Sequence, residues 1–86
     1  GGRHPRRISI RGQRTRWGSC SSQGTISFNW RLMLLEDELV DYVVAHELCH
    51  LTHLDHSPAF WALLSRGLRD MQALRDRLAA IGPLPL

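Results

Sequence analysis

Three short stretches in the first part of the chain alternate apolar and polar residues, which is the pattern of half-buried β-strands. They occupy residues 7–11, 14–20 and 25–30. Turn-forming residues separate them at 12–13 and 21–24. The pattern predicts a three-stranded antiparallel meander, with Ile26, Phe28 and Trp30 on the face that packs against the rest of the chain.

After the strands, apolar residues recur at intervals of three and four, which is the period of an amphipathic helix. A first helix is predicted over residues 36–54, with acidic residues at its start, where the helix dipole favours them. Ser57 and Pro58 are typical of the N-cap and first position of a second helix, over residues 58–66. A third helix is predicted over residues 70–80. The predicted fold is therefore α+β: a small sheet, one long helix and two packing helices.

The long helix contains the run His46-Glu47-Leu48-Cys49-His50. Because each helical residue turns by ~100°, His46 and His50 lie one turn apart on one face and can share a metal ion. Glu47 then lies beside the ion, where its carboxylate can hold and deprotonate a water molecule. This is the H-E-x-x-H arrangement of zinc hydrolases, and it predicts Zn²⁺ as cofactor and Glu47 as general base. The alternative is a buried helix whose histidines bind no metal. It would place polar side chains in an apolar core without partners, which is unfavourable in free energy.

A catalytic zinc site takes three protein ligands and leaves one position for water. Four residues could supply the third ligand: Cys49, His53, Asp55 and His56. His53 shares the helix face of His50, but three imidazoles would then be spread along ~10 Å of one helix axis. A chain break before the second helix would instead turn His56 back toward the metal, ten residues after His46. We therefore predict His56 as the third ligand, with His53 beside the site or solvated.

The length of 86 residues suits one domain, so we expect residues 1–86 to form a single unit in which residues 1–5 are disordered. The sequence shows no signal peptide and no apolar stretch of membrane-spanning length, and we expect a cytoplasmic protein without a membrane partner. Cys20 and Cys49 lack C-x-x-C spacing, so no disulfide framework is expected.

Charge is distributed unevenly along the chain. Residues 1–35 contain seven arginines and no acid, whereas residues 36–86 contain four arginines and eight acids, so that net charges of +7 and −4 give the overall +3. All of the basic residues are arginines, whose forked guanidinium groups suit phosphate and carboxylate. The basic half could therefore bind nucleic acid, a phosphate-bearing ligand or an acidic substrate, or it could be a solvated sheet face.

Four segments together resemble the YgjP-like family of predicted metal-dependent hydrolases, which is similar to the SprT-like and WLM zinc peptidases. They are RWGSC at 16–20, ISFNWRL at 26–32, DYVVAHELCH at 41–50 and HSPAFW at 56–61. The resemblance covers residues 6–82. It implies a zincin-like fold, His46, His50 and His56 as zinc ligands, and Glu47 as the catalytic acid and base.

These observations predict a zinc-dependent hydrolase whose substrate is a peptide or protein. Two alternatives remain open at this stage. One is a hydrolase of nucleotides or other phosphate esters, suggested by the arginine-rich first half. The other is a module without catalytic activity that binds nucleic acid or a partner protein around a structural zinc ion.

Overall fold

The computed structural model describes residues 4–12, 16–68 and 70–81. Its elements are, in chain order, β1 (Arg7–Arg11), β2 (Gly18–Cys20), β3 (Thr25–Asn29), a 3₁₀ helix (Trp30–Leu34), α1 (Asp37–Cys49), α2 (Pro58–Gly67) and α3 (Met71–Ile81). The predicted α+β class is confirmed. Part of the predicted disordered segment, residues 1–3, lies outside the described residues, and so do residue 13 of the predicted turn and residues 14–15 of the predicted second strand.

The sheet has the order β1-β3-β2, and the predicted antiparallel meander is wrong for β1. β2 and β3 form the predicted antiparallel hairpin, but β1 pairs with β3 in parallel, with Ile8 beside Ile26 and Ile10 beside Phe28. Alternation along a strand indicates which face is buried and carries no information about the neighbouring strand. Residues 12–24, which include β2, provide the long connection that a parallel pair requires.

Burial across the sheet is also uneven. Ile26 and Phe28 of the central strand are buried as predicted, whereas Ile8 and Ile10 on the edge strand are 56% and 64% exposed. Trp30 is 46% exposed, because β3 ends at Asn29 and the chain turns into the 3₁₀ helix. The Asn29 side chain caps that helix by accepting a hydrogen bond from the Arg31 N–H. The helix-facing side of the sheet is therefore formed mainly by β3.

Helix α1 ends at Cys49, five residues before the predicted end at Leu54. Its last turn tightens: the N–H of His50 donates to the Glu47 carbonyl, and that of Leu51 to the Leu48 carbonyl. The side chains of His46 and Glu47 are buried, so the histidine face of α1 points into the protein. The early end of α1 frees residues 50–57 to fold back beside it.

Helices α2 and α3 pack against α1 and complete the core. The Ser57 side chain caps α2, accepting a hydrogen bond from the Phe60 N–H, as the sequence predicts. Buried apolar residues from the sheet and all three α-helices form the core: Ile26, Phe28, Leu39, Val43, Phe60, Leu64, Leu74 and Leu78. Cys20 and Cys49 are free thiols. None of the helices in the described ranges combines the length and apolar character that crossing a bilayer requires.

Candidate metal centre

Three imidazoles meet at the C-terminal end of α1. His46 projects from the last turn of α1 and His50 is the C-cap residue of that helix; both are buried, and His56 approaches from the segment before α2. Their potential ligand atoms all lie within 4.8 Å of one another, and the Nε2 atoms of His46 and His56 are 3.3 Å apart. Nitrogen atoms ~2.0–2.1 Å from a tetrahedral zinc ion would be about 3.4 Å apart. The separation of the His46 and His56 nitrogens is close to this value, and the three imidazoles could together hold a metal ion.

The tight turn after α1 fixes the orientation of the His50 ring. His50 Nδ1 lies 2.8 Å from the carbonyl oxygen of His53, to which its N–H donates a hydrogen bond. With Nδ1 protonated, the lone pair of the ring is on Nε2, the atom that is then available to a metal. His53 thus contributes its backbone carbonyl to the site. Sequence reasoning considered only its imidazole.

The His46 ring is held in the same way by its neighbour Glu47. His46 Nδ1 lies 3.1 Å from Glu47 Oε2, and the two side chains are 2% and 1% exposed. When Nδ1 carries the proton and donates a hydrogen bond to the carboxylate, the lone pair of His46 is on Nε2, which faces His56. The carboxylate itself is outside the group of possible metal ligands. Glu47 thus lies beside the three imidazoles and outside the group that they form.

Among the other candidates for the third ligand, Asp55 is used in the turn before α2, where its carboxylate accepts a hydrogen bond from the Ser57 N–H. Within the described residues, the group that could hold a metal contains neither Asp55 nor Cys49, nor the imidazole of His53. His56 is the candidate that the fold brings to the two helical histidines.

Phe60 supports all three imidazoles from behind. Its ring centroid is 5.0 Å from that of His46, 4.4 Å from that of His50 and 5.1 Å from that of His56. Trp61 stacks on His56 at 5.6 Å, and the Arg75 guanidinium lies 4.8 Å from the Trp61 ring centroid. The aromatic pair therefore packs behind the site and restricts the rotation of imidazole rings that a metal would require in one orientation.

The surroundings of His56 favour its neutral form. Burial lowers the pKa of His56, and the nearby His46 and His50 rings lower it further, against a smaller opposing effect of Glu47. A neutral imidazole is the form that coordinates a metal ion. At neutral pH the His56 imidazole is therefore available to bind a metal ion rather than a proton.

Gly18 is a residue of the site that sequence reasoning missed. A Cβ atom at Gly18 would lie 3.1 Å from Glu47 Cγ and 3.3 Å from the Ser27 carbonyl oxygen. The absence of a side chain therefore allows Glu47 to lie directly against β2. The signal in the sequence was a glycine within a strand pattern, because such a glycine often marks a position where another part of the protein lies close to the backbone.

We expect Gly18→Ala to destabilise the protein by about 1–3 kcal/mol, because the added methyl group overpacks a buried contact with Glu47 and backbone. Gly67→Ala is the matched control, since a Cβ atom at Gly67 would meet nothing within 4 Å. Urea denaturation of both metal-loaded variants measures the difference. Equal free energies of unfolding for the two variants would show that β2 can move away from Glu47 without a loss of stability.

Comparisons with known proteins agree with this geometry. Residues 1–81 match the family described as YgjP-like, metallopeptidase domain. The fold is similar to the crystal structure of the metallopeptidase zymogen of Pyrococcus abyssi abylysin, with a TM-score of 0.81 and 25% sequence identity over 93% of this chain and 81% of that chain. A comparison with curated proteins gave no match. The expected zincin-like fold and hydrolase class are confirmed, and the chain belongs to the YgjP-like metallopeptidase family.

Proposed function

We propose that this metallopeptidase depends on zinc, that His46, His50 and His56 hold the ion, and that Glu47 is the general base. One observation carries the proposal: three imidazoles whose ligand atoms lie within 4.8 Å of one another, with a buried carboxylate beside them. A catalytic zinc site takes three protein ligands and leaves a position for water. The three histidines provide that number of protein ligands, and imidazole nitrogen is a common ligand of zinc.

When bound, zinc would act as a Lewis acid: it would lower the pKa of water and polarise the carbonyl group of the scissile bond. Glu47 would take the proton of the attacking water and pass it to the nitrogen of the leaving amine. His46 Nδ1 holds one carboxylate oxygen, Oε2, at 3.1 Å, so that Oε1 is the atom available for the proton. Packing against Gly18 keeps this carboxylate in place during the transfer.

The free edge of β2 provides a place for an extended peptide. The residues on either side of β2 bond to β3: the Asn29 N–H donates to the Trp17 carbonyl at 2.9 Å, and the Ser21 N–H donates to the Thr25 carbonyl at 2.9 Å. By the alternation of an antiparallel pair, the backbone N–H and C=O groups of Gly18 and Cys20 point to the opposite edge. Within the part of the chain that the structure describes, that edge has no neighbouring strand. A substrate could pair there as an added strand, beside Glu47.

Two observations favour this function over the alternatives. A structural zinc ion would take a fourth ligand from the protein, whereas the candidate group among residues 4–12, 16–68 and 70–81 has three members. The matching family is one of metallopeptidases, which favours a peptide bond over a phosphate ester as the substrate.

Metal analysis and a peptide-library digest test the proposal together. We expect about one zinc per chain, and cleavage of a proteome-derived peptide library that stops with chelator and returns when zinc is added. Phosphate release from a panel of phosphate esters is measured in parallel. Metal-dependent phosphate release without peptide cleavage would contradict the proposal, and so would cleavage that is unaffected by complete removal of metal.

A further inference from the structure

The three imidazoles of the metal centre are not oriented in the same way. His46 Nδ1 lies 3.1 Å from Glu47 Oε2, and His50 Nδ1 lies 2.8 Å from the His53 carbonyl oxygen. Among the described residues, the His56 ring has one hydrogen-bonding contact, which joins its Nε2 to that of His46, and none at Nδ1. A hydrogen bond at the second ring nitrogen usually sets the angle of a metal-binding imidazole. His56 must therefore be oriented by other contacts.

Aromatic contacts orient the His56 ring instead. It stacks on Trp61, with ring centroids 5.6 Å apart and an interplanar angle of 23°, and it meets the Phe60 ring at 5.1 Å and 90°. Phe60 is completely buried, whereas Trp61 is only partly buried. A partly exposed side chain changes rotamer more readily than one that is packed on all sides. The orientation of His56 therefore depends on what keeps Trp61 in place.

Arg75 of helix α3 contacts Trp61 from the solvent-exposed surface. Its guanidinium carbon lies 4.8 Å from the centroid of the Trp61 ring, within the range of a cation–π interaction. In the part of the chain that the structure describes, the arginine that forms ion pairs with carboxylates is Arg77, which binds Glu36 and Glu38. Arg75 has no such partner there, so the indole ring is the group that localises its side chain.

These contacts connect α3 to the third ligand of the metal centre. Two of the imidazoles belong to α1, His46 in its last turn and His50 at its C-cap, so the helix itself fixes their spacing. His56 lies outside α1, in the segment before α2. Its position relative to the other two depends on how separate elements pack. Trp61 of α2 and Arg75 of α3 provide that packing.

We propose that Arg75 and Trp61 are positioning residues of the metal centre: Arg75 holds the indole ring of Trp61 against His56, and Trp61 thereby directs His56 Nε2 toward the ion. The inference rests on the proposed function for the identity of the three ligands. It gives α3, which supplies no ligand, a part in metal binding. Because positioning residues act by orienting a ligand, their loss should change the affinity for zinc.

Zinc affinity of the folded protein provides the first test. Arg75→Met removes the cation and keeps a long side chain that can still cover the indole ring. We expect the zinc Kd to rise about twofold to fivefold, the factor that one exposed cation–π contact corresponds to. Arg75→Lys retains the cation and should restore most of the affinity. Trp61→Leu removes the stacked ring and should raise the Kd about 10- to 100-fold. Competition with a chromophoric chelator measures each Kd.

Arg77→Met is the matched control, because it makes the same substitution on the same helix. Arg77 binds Glu36 and Glu38 at the start of α1, whereas the histidines lie at the other end of that helix. The substitution weakens the attachment of α3 and leaves Trp61 untouched, so the zinc Kd should equal that of the wild type. An equal rise of the Kd in Arg75→Met and Arg77→Met would overturn the proposal, because any loosening of α3 would then suffice.

A double-mutant cycle separates this proposal from the proposed ligand set. In a His56→Ala background, Arg75→Met should have no further effect on the zinc Kd, because the ring that Arg75 positions is absent. A further rise of the same size would overturn the positioning role. Wild-type affinity in His56→Ala alone would contradict the ligand set, and this inference with it. Weakened affinity in His56→Ala, with Arg75→Met and Trp61→Leu at the wild-type value, would reject the positioning role alone.

Discussion

Glu47→Gln should give a protein that retains its zinc and hydrolyses peptides about 10²- to 10⁴-fold more slowly than the wild type. The amide has the size of the carboxylate, so the contact with Gly18 is preserved. Its carbonyl oxygen can still accept a hydrogen bond from the His46 Nδ1–H group, which keeps that ring oriented. What the amide cannot do is take a proton from water. The loss should therefore fall on the chemical step.

Asp41→Asn is the matched control for this prediction, because Asp41 is an exposed carboxylate on the same helix. It should retain both zinc and activity. Elemental analysis and kcat/KM for one library-derived peptide are measured for both variants. Zinc loss in Glu47→Gln would show that the carboxylate is a ligand, and full activity with zinc bound would show that another group is the base.

The residues of the candidate site could be predicted because their relation is local. The offset between His46 and His50 places them on one face of any α-helix, and the same geometry places Glu47 beside them. His56 required one further inference, a chain break, and the cap at Ser57 signalled it. Each step uses a short-range rule, so the prediction did not depend on knowing the rest of the fold.

The errors concern long-range relations that local patterns do not encode. Alternating residues identified β1 as a strand, but whether it pairs in parallel with β3 depends on the path of residues 12–24. The approach of Gly18 to Glu47 joins residues 29 positions apart, and a single glycine in a strand pattern only hints at it. The end of α1 was misplaced because apolar periodicity continues through Leu51, while the chain itself turns at His50.

His56→Ala should lose zinc and melt at the temperature of the chelated wild type. The substitution removes one of three imidazoles, and two protein ligands hold zinc far more weakly. Zinc at 1,000 times its Kd stabilises the folded state by ~4 kcal/mol, which for a domain of this size corresponds to roughly 15–30 °C in Tm. Because the His56 side chain is exposed, its removal should leave the metal-free fold intact.

His53→Ala is the comparison that tests the assignment, and the structure sharpens the expectation for it. What His53 supplies is a backbone carbonyl, 2.8 Å from His50 Nδ1, and alanine supplies the same group. The variant should stay metallated, with a loss of affinity no greater than the roughly 10- to 100-fold typical of groups that orient a ligand. Zinc content after dialysis and thermal melting with and without chelator give the result for both variants.

The opposite pattern would change the fold of the site as well as its ligand set. Zinc retained in His56→Ala and lost in His53→Ala would require the His53 imidazole to reach the ion from the helix face of His50. That is possible only if α1 continues past Cys49, which would break the hydrogen bond from His50 Nδ1 to the His53 carbonyl. The two variants therefore test whether the early end of α1 is what completes the metal centre.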